Sequence, residues 1–308
     1  MDRDAFGSFD ILGNIALVKF SDKTKAADKK KFALALLKRQ KSIKTVLEKV
    51  GKFKGRLRKQ ETKWIAGEKN KEILYKENGC VFRFNIDDTY FSPRLSTERL
   101  EVAGKVKKGD EVLVMFAGVG PYPIVIAKNS KAARVFSNEI NRKANKYAEK
   151  NIELNKLKDR VFLLPGDVKK LGEKLRSLRS QLADSEADSI KLLRGKTINA
   201  KNPGRDVGLD KEGVTCQGEP RFPIRFDVIV MPRPRLKDSF LKEAFTLSKK
   251  GARIFYYDFC KDDEVDLILD KIKSEAKKSK KKIKILNVKK AGEIAPYKFR
   301  VRVDFKIV

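Results

Sequence analysis

Residues 91–122, FSPRLSTERLEVAGKVKKGDEVLVMFAGVGPY, decide the fold that the rest of the sequence supports. A short apolar run, residues 111–115, leads into a glycine turn at residues 116–121, and a helix-like stretch comes directly after it. Strand, glycine-rich turn and helix in this order are typical of an open α/β sheet that brings its backbone close to a nucleotide-like ligand. A bare glycine turn is weak evidence, but this one comes after a distinctive charged segment, residues 93–99.

The charge of the chain limits its partners. Lys and Arg total 72 against 41 Asp and Glu, a formal net charge of +31. Contacts from Lys and Arg to phosphate supply most of the non-specific affinity for nucleic acid, so this excess predicts a nucleic-acid partner. The surface of a thermophilic protein is the alternative, but such a surface balances its two signs. The sequence has neither an apolar stretch of membrane-spanning length nor a secretory signal, so we expect no membrane partner.

The chemistry open to the chain is limited by its lack of histidine. Ser-His-Asp hydrolysis, Cys-His catalysis and His-ligated zinc are all excluded, and acid–base work falls to Asp, Glu, Lys, Tyr or Arg. Cys80, Cys216 and Cys260 lie far apart and form no CxxC motif. We therefore expect no disulfide framework, no metal and a cytoplasmic chain. We also expect a monomer.

The first part of the chain, residues 1–53, predicts a small α/β module that binds RNA or acts as a linker. Residues 9–20 read as a strand pair, and residues 25–50 have helical apolar spacing. A basic stretch, residues 52–63, separates this module from the remainder of the chain.

Residues 54–308 predict a larger domain in which strand-like and helix-like segments alternate. Such alternation indicates a mostly parallel sheet with helices on both faces, and the last two strands are consistent with an antiparallel edge. A polar and basic insertion at about residues 171–221 interrupts the alternation, either as a functional loop or as a disordered one. The predicted strands are 64–66, 81–84, 111–115, 133–137, 161–164, 226–231, 252–257, 283–288 and 299–307, and the predicted helices are 122–130, 142–154 and 237–248.

Carboxylates come directly after two of the predicted parallel strands. Glu139 stands 21 positions after Gly118, where a carboxylate can accept from both hydroxyls of a ribose, and Asp167 comes after the next strand. The FAGVGP turn lacks the GxGxxG spacing that serves a pyrophosphate. A cofactor with adenosine but no pyrophosphate fits better, and S-adenosylmethionine is the candidate. The alternative role for each carboxylate alone is a helix cap or a solvated loop end.

The order and the amino-acid sequences of these segments resemble those of the archaeal and eukaryotic tRNA (guanine-37-N1)-methyltransferases, a class I methyltransferase family with a Rossmann-like sheet. The resemblance covers roughly residues 9–308 and is carried by WIAGE (64–68), KENGC (76–80), YFSPRLSTER (90–99), MFAGVGP (115–121), NIELNK (151–156) and GD (166–167). It implies S-adenosylmethionine as cofactor, tRNA as partner and methylation of N1 of guanine 37, next to the anticodon.

The resemblance also implies roles for individual residues. Glu98 corresponds to the family's general base, which takes the N1 proton, and Arg58 corresponds to the arginine that faces O6 of the guanine. The alternative role for Glu98 is a cap or an ion pair, and the alternative for Arg58 is a phosphate contact. The candidate cofactor-binding residues are Phe91, Arg94, Phe116, Ala117, Gly118, Val119, Gly120, Pro121, Glu139, Ile140, Asp167, Val168 and Pro232.

Three positions depart from the family pattern. Val114 stands where the family usually has aspartate, and Glu139 replaces an aspartate with a longer carboxylate. Pro232, in the sequence MPRP, stands where many members carry asparagine, although Arg233 and Arg235 could contact phosphate instead.

Two further interpretations therefore remain open. The first is another S-adenosylmethionine-dependent RNA modification, either at a different target or by transfer of the aminocarboxypropyl group in wybutosine synthesis. The second is an RNA-binding protein on a degenerate methyltransferase fold.

The resemblance further implies an additional amino-terminal domain in many members. Residue 1 lies just before the small module, so we expect relaxed substrate checking and non-specific affinity from the insertion or from the Lys-rich run 277–284.

Overall fold

The computed structural model of the chain describes residues 9–54, 59–184, 223–232, 238–261 and 264–308, and it places their strands in three sheets. The strands are β1 (Phe9–Leu12), β2 (Ile15–Val18), β3 (Thr45–Lys54), β4 (Lys59–Gly67), β5 (Glu72–Glu77), β6 (Cys80–Asn85), β7 (Glu111–Met115), β8 (Arg134–Glu139), β9 (Val161–Pro165), β10 (Phe226–Met231), β11 (Ser248–Lys261), β12 (Ile283–Ala295) and β13 (Lys298–Ile307). The helices are α1 (Ala26–Arg39), α2 (Ser96–Gly104), α3 (Pro121–Asn129), α4 (Arg142–Leu154), α5 (Leu171–Asp184), α6 (Leu241–Leu247) and α7 (Val265–Lys278).

The largest sheet has seven strands in the order β12-β13-β11-β10-β7-β8-β9. Strands β11, β10, β7, β8 and β9 run parallel, whereas β13 is antiparallel to both of its neighbours. The predicted α/β fold, a mostly parallel sheet with an antiparallel carboxyl-terminal edge, is confirmed.

Helices cover both faces of this sheet because successive strand residues point to opposite sides. In β7, Val112 and Val114 join the core under α2, α3 and α4, whereas Leu113 and Met115 join the core under α5, α6 and α7. Both faces of the strand are therefore buried from solvent, which explains its continuous apolar sequence.

The amino-terminal sheet corrects the helix predicted over residues 25–50. Helix α1 ends at Arg39, and Thr45 begins strand β3, which pairs in parallel with β2. Val46 packs into the core beneath α1, while Leu47 packs on the opposite face of the sheet. Apolar residues that are buried on two faces of a strand lose the alternation that identifies a strand, so their spacing resembles a helical period instead.

The basic stretch that was expected to separate two parts instead supplies strands to this sheet. Residues 52–54 end β3 and residues 59–63 begin β4, which pairs antiparallel with it. We therefore propose that the small module extends to about Gly67, rather than ending at residue 53.

Strands β5 and β6 form a hairpin that docks on α4, and β5 was not predicted. Two asparagine side chains, one in α4 and one at its carboxyl-terminal cap, replace a neighbouring strand along the edge of β6. Asn155 accepts from the backbone N–H of Val81 at 2.9 Å and donates to its carbonyl at 2.7 Å, and Asn151 accepts from the N–H of Arg83 at 2.7 Å. Asn151 also donates to the carbonyl of Val119 at 3.0 Å, so α4 ties the hairpin to the glycine turn.

Helix α5 lies at the start of the range that was predicted to be an insertion. It covers residues 171–184, so this part continues the alternation of strands and helices. The remainder of that range, residues 185–221, lies outside the described residues.

Candidate active site

A cavity of about 120 Å³ lies at the carboxyl ends of the parallel strands β7, β8, β9 and β10, where an open α/β sheet binds its ligands. The predicted cofactor-binding residues that line it are Phe91, Phe116, Ala117, Gly118, Pro121, Glu139, Ile140, Asp167, Val168 and Pro232. Segments far apart in sequence are thus brought together as the strand-end argument predicted.

The glycine turn is shaped by left-handed backbone conformations. Gly118 and Gly120 have φ of 59° and 88°, and Phe116 has φ of 57°. Non-glycine residues seldom adopt this region unless their packing holds them there. The ring of Phe116 meets that of Phe240 edge-on at 5.0 Å, and a Cβ on Gly120 would lie 3.2 Å from a methyl group of Ile124. The turn therefore brings the bare backbone of Gly118 to the cavity.

Glu139, at the end of β8, joins two loops of the cavity rim. One carboxylate oxygen accepts from the backbone N–H of Gly118 at 2.8 Å, and the other accepts from that of Asn141 at 2.7 Å. A carboxylate has lone pairs for about four hydrogen bonds, so these two bonds are compatible with ribose hydroxyls as further donors. The geometry of Glu139 fits both a contact to the ribose of a cofactor and a structural role at a helix cap or loop end.

Asp167 lies beyond β9 on a loop that a buried asparagine fixes. Asp167 accepts from the backbone N–H of Lys169 at 3.1 Å and caps the short 3₁₀ turn Val168–Lys170. Asn138 donates to the carbonyl groups of Leu164 at 2.7 Å and Gly166 at 3.2 Å. Asn138 was missed in the sequence, where a polar residue within the β8 apolar run was the available signal.

Glu98 does not line the cavity but is buried beside it. Its carboxylate accepts from Arg302 at 2.7 Å, from Lys289 at 2.7 Å and from the hydroxyl of Tyr257 at 3.1 Å. Since α2 carries Glu98 and the antiparallel edge carries Arg302 and Lys289, the carboxylate joins two distant parts of the chain. The assignment of Glu98 as general base stays a prediction.

An ionic cluster surrounds Glu98. Arg302 also donates to Glu101 at 2.5 Å and to Asp304 at 2.7 Å, and Lys105 pairs with Asp304 at 2.6 Å. Burial by itself would raise the pKa of Glu101, but hydrogen bonds and the charges of Arg302 and Lys289 outweigh it and lower this pKa to about 2. Three carboxylates and three cations therefore balance one another within a largely buried volume.

Arg99 and Glu77 form a buried ion pair at the cavity wall. Two guanidinium nitrogens of Arg99 donate to the two oxygens of Glu77, each at 2.5 Å, and Arg99 lies 5.1 Å from the ring centre of Phe91. Neither residue was singled out as a site residue, although Arg99 ends the FSPRLSTER block. Their geometry fixes the wall on which Phe91 packs.

The other predicted residues lie elsewhere. Val119 and Gly120 belong to the turn but are not part of the cavity lining, and the side chain of Arg94 is 75% exposed and lies 3.9 Å from Asp10. Arg58, Arg233 and Arg235 lie outside the described residues.

Three further cavity residues were missed because elements far apart along the chain bring them there. Tyr122 lies in the first turn of α3, Tyr257 lies on β11 and Arg300 lies on β13. Within the part of the chain that the structure describes, the side chain of Arg300 has no hydrogen bond or ion pair, and its guanidinium stacks over the ring of Phe259 at 5.3 Å. It therefore presents a cation to the cavity.

The lining fits a nucleoside that carries a positive charge better than a pyrophosphate. Glu139 and Asp167 supply carboxylates at neighbouring strand ends, and Ile140 and Val168 supply apolar surface between them. The hydroxyl of Tyr122 is buried next to that of Tyr257, and both tyrosines line the cavity. This donor set suits S-adenosylmethionine.

Two other kinds of site are absent from the described ranges. Their helices include none both long and apolar enough to cross a membrane. The same ranges contain no group of three or more His, Cys, Asp or Glu side chains arranged to hold a metal ion.

Comparison with protein families matches two adjoining parts of the chain. Residues 73–181 match the TRM5/TYW2 methyltransferase domain, and residues 1–70 match the TYW2 N-terminal domain. The chain is 33% identical over 306 residues to Taw22 of Nanoarchaeum equitans, named tRNA (guanine(37)-N(1))/4-demethylwyosine(37)-methyltransferase, covering 98% of this chain and 100% of that protein. It is 30% identical to the tRNA (guanine(37)-N(1))-methyltransferase Trm5b of Pyrococcus abyssi, covering 97% of this chain and 74% of the relative.

Solved structures agree with these matches. The crystal structure of Pyrococcus abyssi Trm5b superposes with a TM-score of 0.72 at 30% identity, covering 97% of this chain and 74% of that chain. A complex of aTrm5 with tRNALeu superposes with a TM-score of 0.71 at 25% identity, covering 98% of this chain and 72% of that one. Together with the glycine turn and the strand order, these matches confirm the predicted resemblance: the chain belongs to the TRM5/TYW2 family of class I methyltransferases.

Proposed function

We propose that this protein methylates N1 of guanine 37 in tRNA, with S-adenosylmethionine as cofactor. The observation that carries the proposal is the cavity at the ends of β7 to β10, which combines a glycine turn with the carboxylates of Glu139 and Asp167. The names of Trm5b and Taw22, relatives at 30% and 33% identity, support guanine 37 as the target.

In this proposal the residues of the chain bind and orient the cofactor and take a proton from the target base. Glu139 accepts from the ribose hydroxyls, Asp167 accepts from the adenine amine, and Ile140 and Val168 contact the adenine ring. The bound cofactor supplies an electrophilic methyl group on a sulfonium. Glu98 receives the proton that N1 must lose, because the lone pair of the N1–H nitrogen is delocalised into the ring carbonyl and N1 becomes a good nucleophile only after deprotonation.

A cation at the target base stabilises the negative charge that develops on O6 as N1 loses its proton. Arg58 is our sequence-based candidate for this role. Arg300 is the second candidate, because it presents an unpaired guanidinium to the cavity that Tyr257 and Pro232 also line, as far as the described residues show.

The partner in this proposal is tRNA. The net charge of +31 matches a polyanion, and one of the similar structures is that of aTrm5 in complex with tRNALeu. To reach N1, which is paired or stacked in most RNA contexts, the enzyme turns the base out of its stack. A tRNA substrate also implies that the protein works in the cytoplasm, and we propose that it acts as a monomer.

The second candidate function acts on a wybutosine precursor at the same tRNA position. The name of the Nanoarchaeum equitans relative includes 4-demethylwyosine(37), and the first 70 residues match the TYW2 N-terminal domain. A third interpretation, an RNA-binding protein without catalysis, would follow from the departures at Val114 and Pro232. The intact glycine turn and the two strand-end carboxylates argue against it.

One experiment separates these functions. The protein is incubated with S-adenosylmethionine and a tRNA transcript carrying guanine at position 37, and digested nucleosides are identified by mass spectrometry, with adenine at 37 as the matched control. We expect 1-methylguanosine from the first transcript alone. Intact cofactor binding without a modified nucleoside would favour the precursor substrate, which a tRNA carrying 4-demethylwyosine tests directly. Loss of cofactor binding as well would favour the RNA-binding interpretation.

A further inference from the structure

Glu98 is separated from the cavity by a single side chain. The carboxylate is 5% exposed and does not form part of the lining, so a target base in the cavity does not meet it directly. Tyr257 lies between them, since it lines the cavity and its hydroxyl donates to Oε2 of Glu98 at 3.1 Å.

The sheet fixes this arrangement. Tyr257 on β11 pairs directly with Arg302 on β13, so both side chains lie on the face that α2 covers. Arg302 holds the same Oε2 of Glu98 at 2.7 Å, and Lys289 of β12 holds Oε1 at 2.7 Å. Tyr257 is the one partner of Glu98 that also lines the cavity, among the residues that the structure describes.

The phenol of Tyr257 is a neutral donor in this setting. Burial raises its pKa well above the usual value, and the neighbouring Tyr122 and the negative charge of Glu98 raise it further. A neutral phenol can accept a proton from a substrate only while it passes its own proton onward, and Glu98 is positioned to receive it.

We propose that Tyr257 is a catalytic residue that relays the N1 proton of the target guanine to Glu98. This inference rests on the proposed function. The N1–H bond breaks as a bond forms between that proton and the phenol oxygen, and the phenol O–H bond breaks as its proton joins Oε2 of Glu98. The lone pair left on N1 forms the bond to the methyl group, and the electrons of the broken carbon–sulfur bond stay on sulfur.

The ionic cluster can accommodate the protonation of Glu98. Arg302 keeps Glu101 and Asp304 as partners, and Lys289 keeps Glu101. Neither cation is therefore left unpaired when the charge on Glu98 disappears, which avoids the large cost of an isolated buried charge.

The relay is tested by Tyr257→Phe, with Tyr256→Phe as matched control. Tyr256 is the neighbouring residue of β11, and its buried hydroxyl also donates to a carboxylate, that of Asp258 at 2.8 Å, but it is not part of the cavity lining. We expect Tyr257→Phe to lower the single-turnover rate of methyl transfer by about 10²-fold or more, as for a lost acid–base group. Binding of S-adenosylmethionine and of tRNA, measured by calorimetry and filter binding, should stay within about twofold.

Equal rates for the two variants, or a loss of cofactor affinity that accounts for the lower rate, would overturn the relay. A second measurement needs no variant. Single-turnover rates of the unaltered protein in mixtures of H₂O and D₂O should depend on the deuterium fraction along a curve, because two protons move together. A straight line would mean that one proton moves, and would overturn the relay even if Tyr257→Phe were slow or failed to fold.

The experiments distinguish a failure of the proposed function from a failure of the relay. If the unaltered protein forms no 1-methylguanosine, the proposed function is wrong and the relay falls with it. If it forms the product while Tyr257→Phe matches the unaltered rate, only the relay is wrong.

Discussion

The carboxylate of Glu139 combines a structural contact with a proposed cofactor contact. It holds the backbone N–H groups of Gly118 and Asn141, and both residues line the cavity. A side chain with these bonds is expected to orient the rim as well as to accept from a ribose.

Glu139→Ala is therefore expected to weaken S-adenosylmethionine binding by about 1.5–3 kcal/mol, the range for a hydrogen bond to a charged group. Isothermal titration measures the change. Glu153→Ala removes an exposed carboxylate of α4 that pairs with Lys158, and it serves as the control with unchanged affinity. If Glu139→Ala lowered the melting temperature but left cofactor affinity intact, its role would be that of a cap alone.

Arg300 allows a different test, because its side chain contributes little to the stability of the fold. No described side chain neutralises its charge, so Arg300→Ala should change the melting temperature by little. We expect the rate of methyl transfer to fall on the order of 10²-fold if the guanidinium faces O6, as for the loss of one donor to a developing oxyanion. Lys298→Ala removes one charge from the exposed start of the same strand and should leave the rate unaltered. Equal rates for the two variants would contradict the assignment.

At the scale of elements, helix α4 connects the hairpin to the glycine turn. Asn151 is fully buried and bonds to the backbone of both Arg83 and Val119. Asn151→Leu leaves the partly buried N–H of Arg83 and the carbonyl of the fully buried Val119 without partners, which should destabilise the protein by about 2–4 kcal/mol.

Urea unfolding measures this loss, and Lys146→Ala on the exposed face of α4 is the control. Because Val119 belongs to the turn, the variant should also bind S-adenosylmethionine less tightly. A stability equal to that of the control would mean that water satisfies the two backbone groups.

Elements with local signals could be predicted from the sequence, whereas elements fixed by distant contacts could not. The 3.6-residue period and flanking residues of α4 indicate its bounds, Arg142–Leu154, and the glycine turn locates β7 and α3. Strand β3 resembles a helix in sequence because Val46 and Leu47 are buried on opposite faces. The surroundings of Glu98 could not be foreseen, because Lys289 and Arg302 lie about 200 residues further along the chain and reach it only through the sheet edge.

For the whole molecule, the charge excess predicts strongly salt-dependent binding to tRNA. If six to ten phosphates are contacted, affinity should fall roughly 10³–10⁵-fold between 50 and 200 mM salt, because binding releases condensed counterions. Filter binding over this range measures the slope. Affinity for S-adenosylmethionine should change far less over the same range, since Glu139 and Asp167 act in a local cavity. An equally shallow slope for tRNA would argue against phosphate contacts as the main source of affinity.

The ionic cluster predicts how stability depends on pH. The pKa of Glu101 is lowered from 4.5 in the unfolded chain to about 2 in the folded protein. A lowered carboxylate pKa contributes stability that is fully present above the unfolded value and is lost as the pH falls toward the folded value.

The free energy of unfolding should therefore decrease between about pH 5 and pH 2, as measured by urea titration. Glu101→Gln should flatten this dependence while lowering stability at pH 7. An unchanged slope in the variant would assign the acid sensitivity to other carboxylates.

Strand β11 is longer than its neighbour β10, and this difference constrains how the cavity wall can vary. Met231 at the end of β10 pairs with Tyr256, so residues 257–261 of β11 continue beyond it, paired only with β13 among the described strands. Along this projecting ribbon, even and odd positions face opposite sides. Deleting one residue from β13 between Arg300 and the chain end would exchange the inward set for the outward set. Because a change of two residues keeps every side chain on its own face, we expect a one-residue deletion in β13 to impair the cavity wall more than a two-residue deletion.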